Sequence, residues 1–151
     1  MTVTTLPGYS HYQVWWTTRS HNWQVLQVQA CHDAHVLLSN SPENVDNVYE
    51  IALGIKNNTE SVIRRGFQGG NEVTAQTPGI LHCDELRTFW IRWSADVIEV
   101  GYGRKVGEEL FMIMTNTPLG QSITSLSVST GWGSTGVWNT NSVTGMYQFI
   151  L

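Results

Sequence analysis

Apolar and polar residues alternate along short segments of the chain, and clusters of glycine, proline and asparagine separate these segments. Successive side chains of a β-strand point to opposite faces, so an alternation of period two predicts strands with one buried face. No stretch shows the spacing of an amphipathic helix. The alternating segments are 12–18, 23–30, 48–53, 86–94, 97–102 and 125–129, and a short apolar segment follows at 145–151.

One face of each segment carries large apolar side chains, which we expect in the core. The predicted core residues are Leu26, Val28, Ala30, Tyr49, Ile51, Leu53, Phe89, Ile91, Trp93, Ile98, Val100, Tyr102, Leu126 and Val128. Glu50, Ala52, Trp90 and Arg92 are expected on the opposite faces. Segment 109–114, ELFMIM, is apolar on both faces, which predicts a central strand with neighbours on either side.

Turn-forming residues recur at short intervals, for example at Pro7-Gly8, Asn57-Asn58 and Pro78-Gly79. Short strands joined by such turns are typical of an antiparallel β-sandwich or jelly roll. The sequence contains no linker, repeat or change of composition, and 151 residues suffice for a buried core. We therefore expect an all-β fold with a single domain over residues 1–151.

Charge is scarce, since Asp, Glu, Lys and Arg make up 13% of the residues. Neutral polar residues replace them, which suits extracellular β-proteins and proteins that bind uncharged polar ligands. The net charge of −4 argues against a nucleic-acid partner, because such a partner requires a basic surface. No apolar run is long enough for a membrane span, so we expect no membrane insertion.

The N-terminal segment lacks the basic and apolar regions of a secretory signal. We expect a mature secreted protein, with a cytoplasmic one as the alternative. The two cysteines, Cys31 and Cys83, do not form a disulfide framework. Two buried free thiols are favoured over a single disulfide, and both interpretations stay open.

Segment 129–138, STGWGSTGVW, is the most informative part of the sequence for function. Its glycines allow unusual backbone angles, so Trp132 can be carried on a turn between small polar residues. The C–H face of a sugar packs on an exposed aromatic ring, and its hydroxyl groups need polar partners. Alternatively, Trp132 folds back onto the core as a corner residue.

Asn57 and Asn58 suit the tip of a hairpin, and Arg64 lies on the strand that follows. These side chains can hydrogen-bond to sugar hydroxyls, although an ordinary hairpin would have the same sequence. Asn57-Asn58-Thr59 is also a glycosylation sequon, which proves nothing by itself.

Residues 32–35, His-Asp-Ala-His, could ligate a metal, but the usual zinc spacing is absent and a polar strand end is favoured. The neighbouring carboxylates of Asp84 and Glu85 could bind Ca²⁺, although a solvated acidic turn is the favoured interpretation. Adjacent carboxylates do not span a glycosidic bond well, and the sequence has no nucleophile-elbow or zinc-protease motif. We therefore expect no enzyme, no metal site and no cofactor, with Ca²⁺ left open.

Several segments together resemble the farnesoic acid O-methyltransferase-like domain family, in the right order along the chain. They are 33–39 (DAHVLLS), 49–54 (YEIALG), 57–66 (NNTESVIRRG), 78–93 (PGILHCDELRTFWIRW), 100–103 (VGYG) and 129–138 (STGWGSTGVW). Galactose-binding lectins from sea anemone and feather star are similar to this family, and some of them use Ca²⁺. The family name implies methyl transfer, but the usual methyltransferase needs an α/β sheet with a glycine-rich first turn, which this sequence lacks.

The residues predict a non-catalytic lectin that stacks a sugar on Trp132, and the resemblance implies that the sugar is galactose or a β-galactoside of glycans. The polar residues expected around the sugar are Asn57, Asn58, Arg64, Glu50, Asp33 and His35. We expect a homodimer or higher oligomer, because agglutination needs several sites and the strand edges of a sandwich can pair. The alternative is a structural or protein-interaction module with a tryptophan-rich interface.

Overall fold

A computed structural model describes residues 2–8, 14–18, 21–42, 46–139 and 147–150. The strands in chain order are β1 (Thr2–Thr5), β2 (Val14–Thr17), β3 (Trp23–Ala30), β4 (Ala34–Ser39), β5 (Tyr49–Gly54), β6 (Glu60–Arg65), β7 (Asn71–Gln76), β8 (Arg87–Trp93), β9 (Val97–Tyr102), β10 (Leu110–Thr115), β11 (Ser125–Thr130), β12 (Gly136–Asn139) and β13 (Tyr147–Ile150). A helical turn, α1 (Ile55–Asn58), joins β5 to β6, and a 3₁₀ helix (Pro118–Ser122) precedes β11. No helix in these parts of the chain is long and apolar enough to cross a bilayer.

The strands form two sheets that pack face to face. The six-stranded sheet has the order β1-β12-β3-β8-β9-β10, and the seven-stranded sheet has the order β13-β2-β11-β4-β5-β6-β7. Every pairing between the described strands is antiparallel. The predicted all-β antiparallel sandwich is confirmed.

The predicted core faces meet between the two sheets. With one exception, the side chains expected inside from β3, β5, β8, β9 and β11 are at most 3% exposed. The exception is Tyr102 at the end of β9, which is 38% exposed and stacks on Phe111 with ring centroids 4.2 Å apart. Partial burial raises the pKa of the Tyr102 hydroxyl, because it disfavours the phenolate.

Three strands of the seven-stranded sheet, β4, β5 and β11, are buried on both faces. Glu50 and Ala52 therefore have no exposed surface, although they lie opposite the core face of β5. Ala52 packs with Ile55 and Val62 on that outer side. The alternation predicts which face a residue takes, but not whether that face is covered.

Trp90 likewise lies on an outer face, that of the six-stranded sheet, and this face is also covered. Its side chain is fully buried, and its indole Nε1 donates a hydrogen bond to the carbonyl oxygen of Glu108 at 2.7 Å. The Arg92 guanidinium lies 5.6 Å from the ring centroid. The loop between β9 and β10 thus folds back over this face and covers the tryptophan.

The prediction that segment 109–114 forms a central strand is wrong. β10 is the edge strand of the six-stranded sheet, and its register shifts between Leu110 and Met112. Met112 and Met114 enter the core, while Leu110 and Ile113 are 44% and 46% exposed. The segment is apolar on both faces because its outer side chains are exposed hydrophobic residues, not because a second layer covers them.

The favoured prediction of two free thiols is also wrong, because Cys31 and Cys83 form a disulfide. β3 pairs with β8 in a register that places Val28 opposite Arg87, and this pairing brings together the segments that carry the two cysteines. The side chain of Gln29 also donates a hydrogen bond to the Cys83 carbonyl oxygen at 3.0 Å. The pairing depends on a sheet register that the sequence alone does not reveal.

Candidate ligand-binding site

The turns β3–β4, β5–β6 and β11–β12 meet at one end of the sandwich. Backbone hydrogen bonds tie them together, since the amide of Asp33 donates to the carbonyl of Gly54 at 3.1 Å. The amide of Gly131 in turn donates to the carbonyl of Asp33 at 3.2 Å. Residue 33 therefore fixes the other two turns relative to each other.

Trp132 lies at the tip of the β11–β12 turn. The amide of Ser134 donates to the carbonyl of Gly131 at 3.0 Å, and the two residues between them have positive φ angles, 55° at Trp132 and 89° at Gly133. These values define a tight turn of the I′ type. The Trp132 side chain is 71% exposed, so it is not a corner residue of the core.

A cleft of about 480 Å³ opens beside this turn. Side chains from all three turns and from β6 line this cleft. They provide one indole ring together with charged and amide groups. Its lining residues are His32, Asp33, Ile55, Lys56, Asn57, Arg64 and Trp132.

The carboxylate of Asp33 lies between two imidazole rings. One carboxylate oxygen is 2.7 Å from Nδ1 of His32, and the other is 3.4 Å from Nε2 of His35. Asp33 is 5% exposed and His35 is fully buried, whereas the His32 side chain is 27% exposed. His35 therefore supports the carboxylate from behind, and His32 lies at the cleft surface.

The guanidinium of Arg64 is held by two side chains. Its Nη1 donates to the carboxylate of Glu50 at 2.9 Å, and its Nε donates to the amide oxygen of Asn71 at 2.9 Å. The Arg64 side chain is 14% exposed, while the Glu50 carboxylate is fully buried beneath it. Glu50 thus orients Arg64 and does not itself line the cleft.

The turn α1 between β5 and β6 presents Lys56 and Asn57 to the cleft. Lys56, Asn57 and Asn58 have φ angles of 50°, 59° and 61°, so the turn is left-handed. Asparagine tolerates this conformation better than most residues.

The Lys56 ammonium lies 3.2 Å from the carboxylate of Glu60. The hydrogen bond from Gln76, followed by the interaction with Lys56, holds the pKa of Glu60 below its usual value.

Asn57 and Asn58 have different surroundings despite their adjacent positions. The amide of Asn58 clamps the backbone of Leu81, donating to its carbonyl at 2.9 Å and accepting from its N–H at 3.1 Å. This clamp holds the turn against the loop that follows β7. Asn57 is exposed and lines the cleft.

The seven residues predicted to bind the ligand therefore separate into two groups. Four of them line the cleft: Trp132, Asn57, Arg64 and Asp33. The other three support it from inside the protein: Glu50, His35 and Asn58. Two further lining residues, Ile55 and Lys56, were not predicted from the sequence, and His32 was predicted only as a possible metal ligand.

In the described ranges, no group of three or more His, Cys, Asp or Glu side chains could hold a metal ion.

A second cleft, of about 470 Å³, lies at the other end of the sandwich, beside the turn that joins β8 to β9. The 3₁₀ helix borders it. Its large aromatic lining residue, Trp93, is only 1% exposed. The cleft beside Trp132 is therefore the better candidate for a ligand that stacks on a ring.

A comparison with known proteins finds a relative that matches part of the chain. "Uncharacterized protein 5" from Haliotis asinina is 37% identical over 82 residues, which cover 52% of this chain and 46% of that protein. The match thus spans about half the length of that relative.

Two solved structures share the fold. The carbohydrate-binding module CBM66 from Bacillus subtilis has a TM-score of 0.52 and 10% identity, over 92% of this chain and 79% of its own. Sheep galectin-11, in complex with glycerol, has a TM-score of 0.50 and 6% identity, over 99% of this chain and 96% of its own. At such low identity these likenesses show the fold alone. The family described as farnesoic acid O-methyltransferase matches residues 9–143, and the chain therefore belongs to that family.

Proposed function

We propose that the protein is a non-catalytic lectin that binds a neutral glycan through a galactose-like ring stacked on Trp132. The observation that carries this proposal is an indole ring, 71% exposed, on a turn beside a polar cleft. An exposed aromatic face can pack on the C–H groups of a sugar, while the cleft supplies hydrogen-bonding groups for its hydroxyls.

The backbone of Trp132 supports a role in ligand contact. A φ of 55° disfavours a bulky residue by about 1–2 kcal/mol, and glycine or asparagine would take this turn position more easily. The exposed ring adds little to the core. Since neither the conformation nor the exposure stabilises the fold, contact with a ligand gives a reason for both.

The polar groups of the cleft are held in place before a ligand arrives. Asp33 is fixed by two imidazole rings, and Arg64 is fixed by Glu50 and Asn71. Side chains that are already ordered lose less entropy on binding. Their charges also strengthen the hydrogen bonds that they form with sugar hydroxyls.

The charges around the cleft favour a neutral ligand over a sulfated or carboxylated one. The two cations, Lys56 and Arg64, lie 3.2 Å and 2.9 Å from the carboxylates of Glu60 and Glu50. Because both cations already have carboxylate partners, an anionic group would gain little net attraction there. The carboxylate of Asp33 would repel such a group.

A galactose-like sugar suits stacking on an exposed indole, because its axial 4-hydroxyl leaves a continuous C–H surface on one face of the ring. The resemblance to galactose-binding lectins of marine invertebrates supports the same sugar. One structure with this fold is itself named a carbohydrate-binding module, so the fold can present such a site.

Catalysis is not part of the proposal. Asp33 supplies the one carboxylate among the described lining residues, and both of its oxygens contact histidine rings, whereas glycoside hydrolysis usually needs two carboxylates flanking the bond. The described strands pair only in antiparallel fashion, and the usual methyltransferase binds its cofactor on a parallel α/β sheet.

We also infer that the protein is secreted and forms a homodimer. The Cys31–Cys83 disulfide supports an oxidising compartment. The edge strand β10 exposes Leu110 and Ile113, and a second copy that paired with this edge would cover both side chains. Sedimentation equilibrium measures the oligomeric state of the protein and of its Ile113→Lys variant. Only the variant should be monomeric.

A glycan array, with and without EDTA, tests the lectin proposal. With unglycosylated protein from a bacterial oxidising cytosol, we expect binding to neutral glycans with terminal galactose, inhibition by free galactose, and the same profile in EDTA. Trp132→Ala should lose this binding, whereas Leu86→Ala, which truncates an exposed apolar residue outside the cleft, should keep it.

Absence of any glycan binding, together with binding to a protein partner, would favour the interaction module. Transfer of a labelled methyl group from S-adenosylmethionine would contradict the non-catalytic assignment.

A further inference from the structure

Asn57 has two properties that coincide in one residue. It lines the cleft beside Trp132, and it is the acceptor position of the sole Asn-X-Ser/Thr sequon in the sequence, Asn57-Asn58-Thr59. A sequon marks an acceptor for N-glycosylation only where the asparagine is accessible in a protein that enters the secretory pathway. The structure addresses both conditions.

The Asn57 side chain is accessible. It lies at the tip of the left-handed turn α1, it is exposed, and the described residues show no hydrogen bond to its amide. The amide of the neighbouring Asn58 is instead engaged by Leu81 through two hydrogen bonds. Thr59, the third residue of the sequon, is also exposed.

The Cys31–Cys83 disulfide is the second, independent observation. Disulfides form and persist in the oxidising compartments of the secretory pathway, which is also where N-glycosylation takes place. A chain that acquires this disulfide there therefore also meets the glycosylation machinery.

We propose that Asn57 is N-glycosylated and that its glycan occludes the cleft, so that the glycosylated chain cannot bind an external sugar. The co-reactant is a lipid-pyrophosphate-linked oligosaccharide. The Nδ2 atom of Asn57 forms a bond to the anomeric carbon of the first sugar and loses a proton, while the carbon–oxygen bond to the pyrophosphate breaks and the lipid pyrophosphate leaves. The occlusion half of this proposal rests on the proposed lectin function, but the modification half does not.

Occlusion follows from the position of the acceptor. The first N-acetylglucosamine is bonded directly to a side chain of the cleft wall, in the space of about 480 Å³ that a ligand must enter. The same cleft offers the indole of Trp132, on which a pyranose ring can stack. A tethered sugar has a high effective concentration and therefore competes strongly with a free one.

Secretion from eukaryotic cells behind a heterologous signal peptide tests the modification. We expect an increase in intact mass that peptide-N-glycosidase F removes, leaving aspartate at position 57. Thr59→Ala should abolish the increase, whereas Thr59→Ser, which keeps a sequon and a hydroxyl group, should retain it. An unmodified secreted protein of correct disulfide pairing would overturn the proposal, whether or not the protein binds sugars.

Two readouts test the occlusion. N-bromosuccinimide oxidation of Trp132, followed by peptide mass spectrometry, should be slower in the glycosylated protein than in secreted Thr59→Ala. Glycan-array binding should be lost in the glycosylated protein and present in Thr59→Ala, and in unglycosylated wild-type protein from a bacterial oxidising cytosol. Equal oxidation rates and equal binding would overturn the occlusion. If no form binds a sugar, the lectin function fails, but the oxidation rates still decide whether the glycan covers Trp132.

Discussion

Gly101 on β9 lies directly opposite Trp90 on β8, and the indole ring occupies the space that a side chain at position 101 would need. A Cβ atom added to Gly101 would lie 2.3 Å from atoms of the indole ring. Trp90 is also held by the loop that contains Glu108, whose carbonyl oxygen accepts a hydrogen bond from the indole Nε1 at 2.7 Å. The glycine therefore allows a large aromatic ring to lie flat on the outer face of the sheet.

Gly101→Ala should destabilise the protein, because the added methyl group overlaps a ring that is fully buried and cannot move away freely. We expect a loss of about 1–3 kcal/mol in the free energy of unfolding, as for other overpacked sites. Gly70→Ala is the matched control, since a Cβ atom there meets nothing within 4 Å. Urea unfolding of the two variants measures the difference, and equal midpoints would show that the Trp90 ring adapts.

The alternation of apolar residues predicted the strands and their core faces, because the period of a strand is a local property of the sequence. Leu26, Phe89 and Leu126 lie in the core as expected. The covering of outer faces was not predictable in this way. Trp90 is buried by the loop that follows the next strand, β9, and the pattern around position 90 contains no information about that loop.

The sequence predicted the polar and aromatic side chains of the site better than it predicted their roles. Trp132, Asn57, Arg64 and Asp33 line the cleft, but Glu50 and His35 lie behind it and orient its surface groups. A charged residue on the outer face of a strand looks the same in sequence whether it contacts solvent or a buried partner. The sheet register, which pairs Glu50 with Arg64, decides between these possibilities.

The disulfide should contribute strongly to stability, because it closes a long loop. For a sequence separation of 52 residues, the chain-entropy description gives about 4 kcal/mol. The double variant Cys31→Ser/Cys83→Ser should therefore unfold at a lower urea concentration than the oxidised protein. Wild-type protein in dithiothreitol serves as the control and should match the double variant. Unchanged unfolding on reduction would mean that the two thiols are not joined in solution.

The buried Glu50–Arg64 pair should be far more sensitive to substitution than an exposed pair on the same sheet. Glu50→Gln removes the carboxylate that orients Arg64 and leaves a poorly compensated cation, so we expect a loss of about 3–5 kcal/mol. In the exposed Arg65–Glu72 pair the atoms are 3.8 Å apart, and Glu72→Gln should change stability by less than about 1 kcal/mol. Calorimetry of both variants makes the comparison, and similar melting temperatures would contradict the structural role of Glu50.

The contacts of Glu60 with Gln76 and Lys56, next to the turn beside the cleft, should weaken as the pH becomes acidic. Its pKa lies below the usual 4.5 because Gln76 and Lys56 interact with the charged form. The contribution of these contacts to stability is therefore fully present above the unfolded-state pKa and is lost as the pH falls through the folded-state pKa. Gln76→Ala should move the pKa upward, and an NMR titration of the Glu60 carboxyl carbon measures it. No shift in this variant would mean that Gln76 does not hold the carboxylate in solution.

Trp132 offers the sharpest separation between ligand binding and folding. Trp132→Asn, made in a bacterial oxidising cytosol because it creates a second glycosylation sequon with Gly133 and Ser134, removes the ring and places a residue that tolerates positive φ at the turn, so the variant should lose glycan binding and yet gain up to about 1 kcal/mol of stability. Trp132→Ala should lose binding with little change in stability, because the ring is mostly exposed.

Trp90→Ala, which truncates a fully buried indole, should instead lose about 3–5 kcal/mol of the free energy of unfolding. Isothermal calorimetry with a galactoside and thermal unfolding of the three variants give both readouts. Retained binding in a stable Trp132→Asn protein would move the sugar away from this turn, whereas a large loss of stability in both Trp132 variants would assign the ring to the fold and not to the ligand.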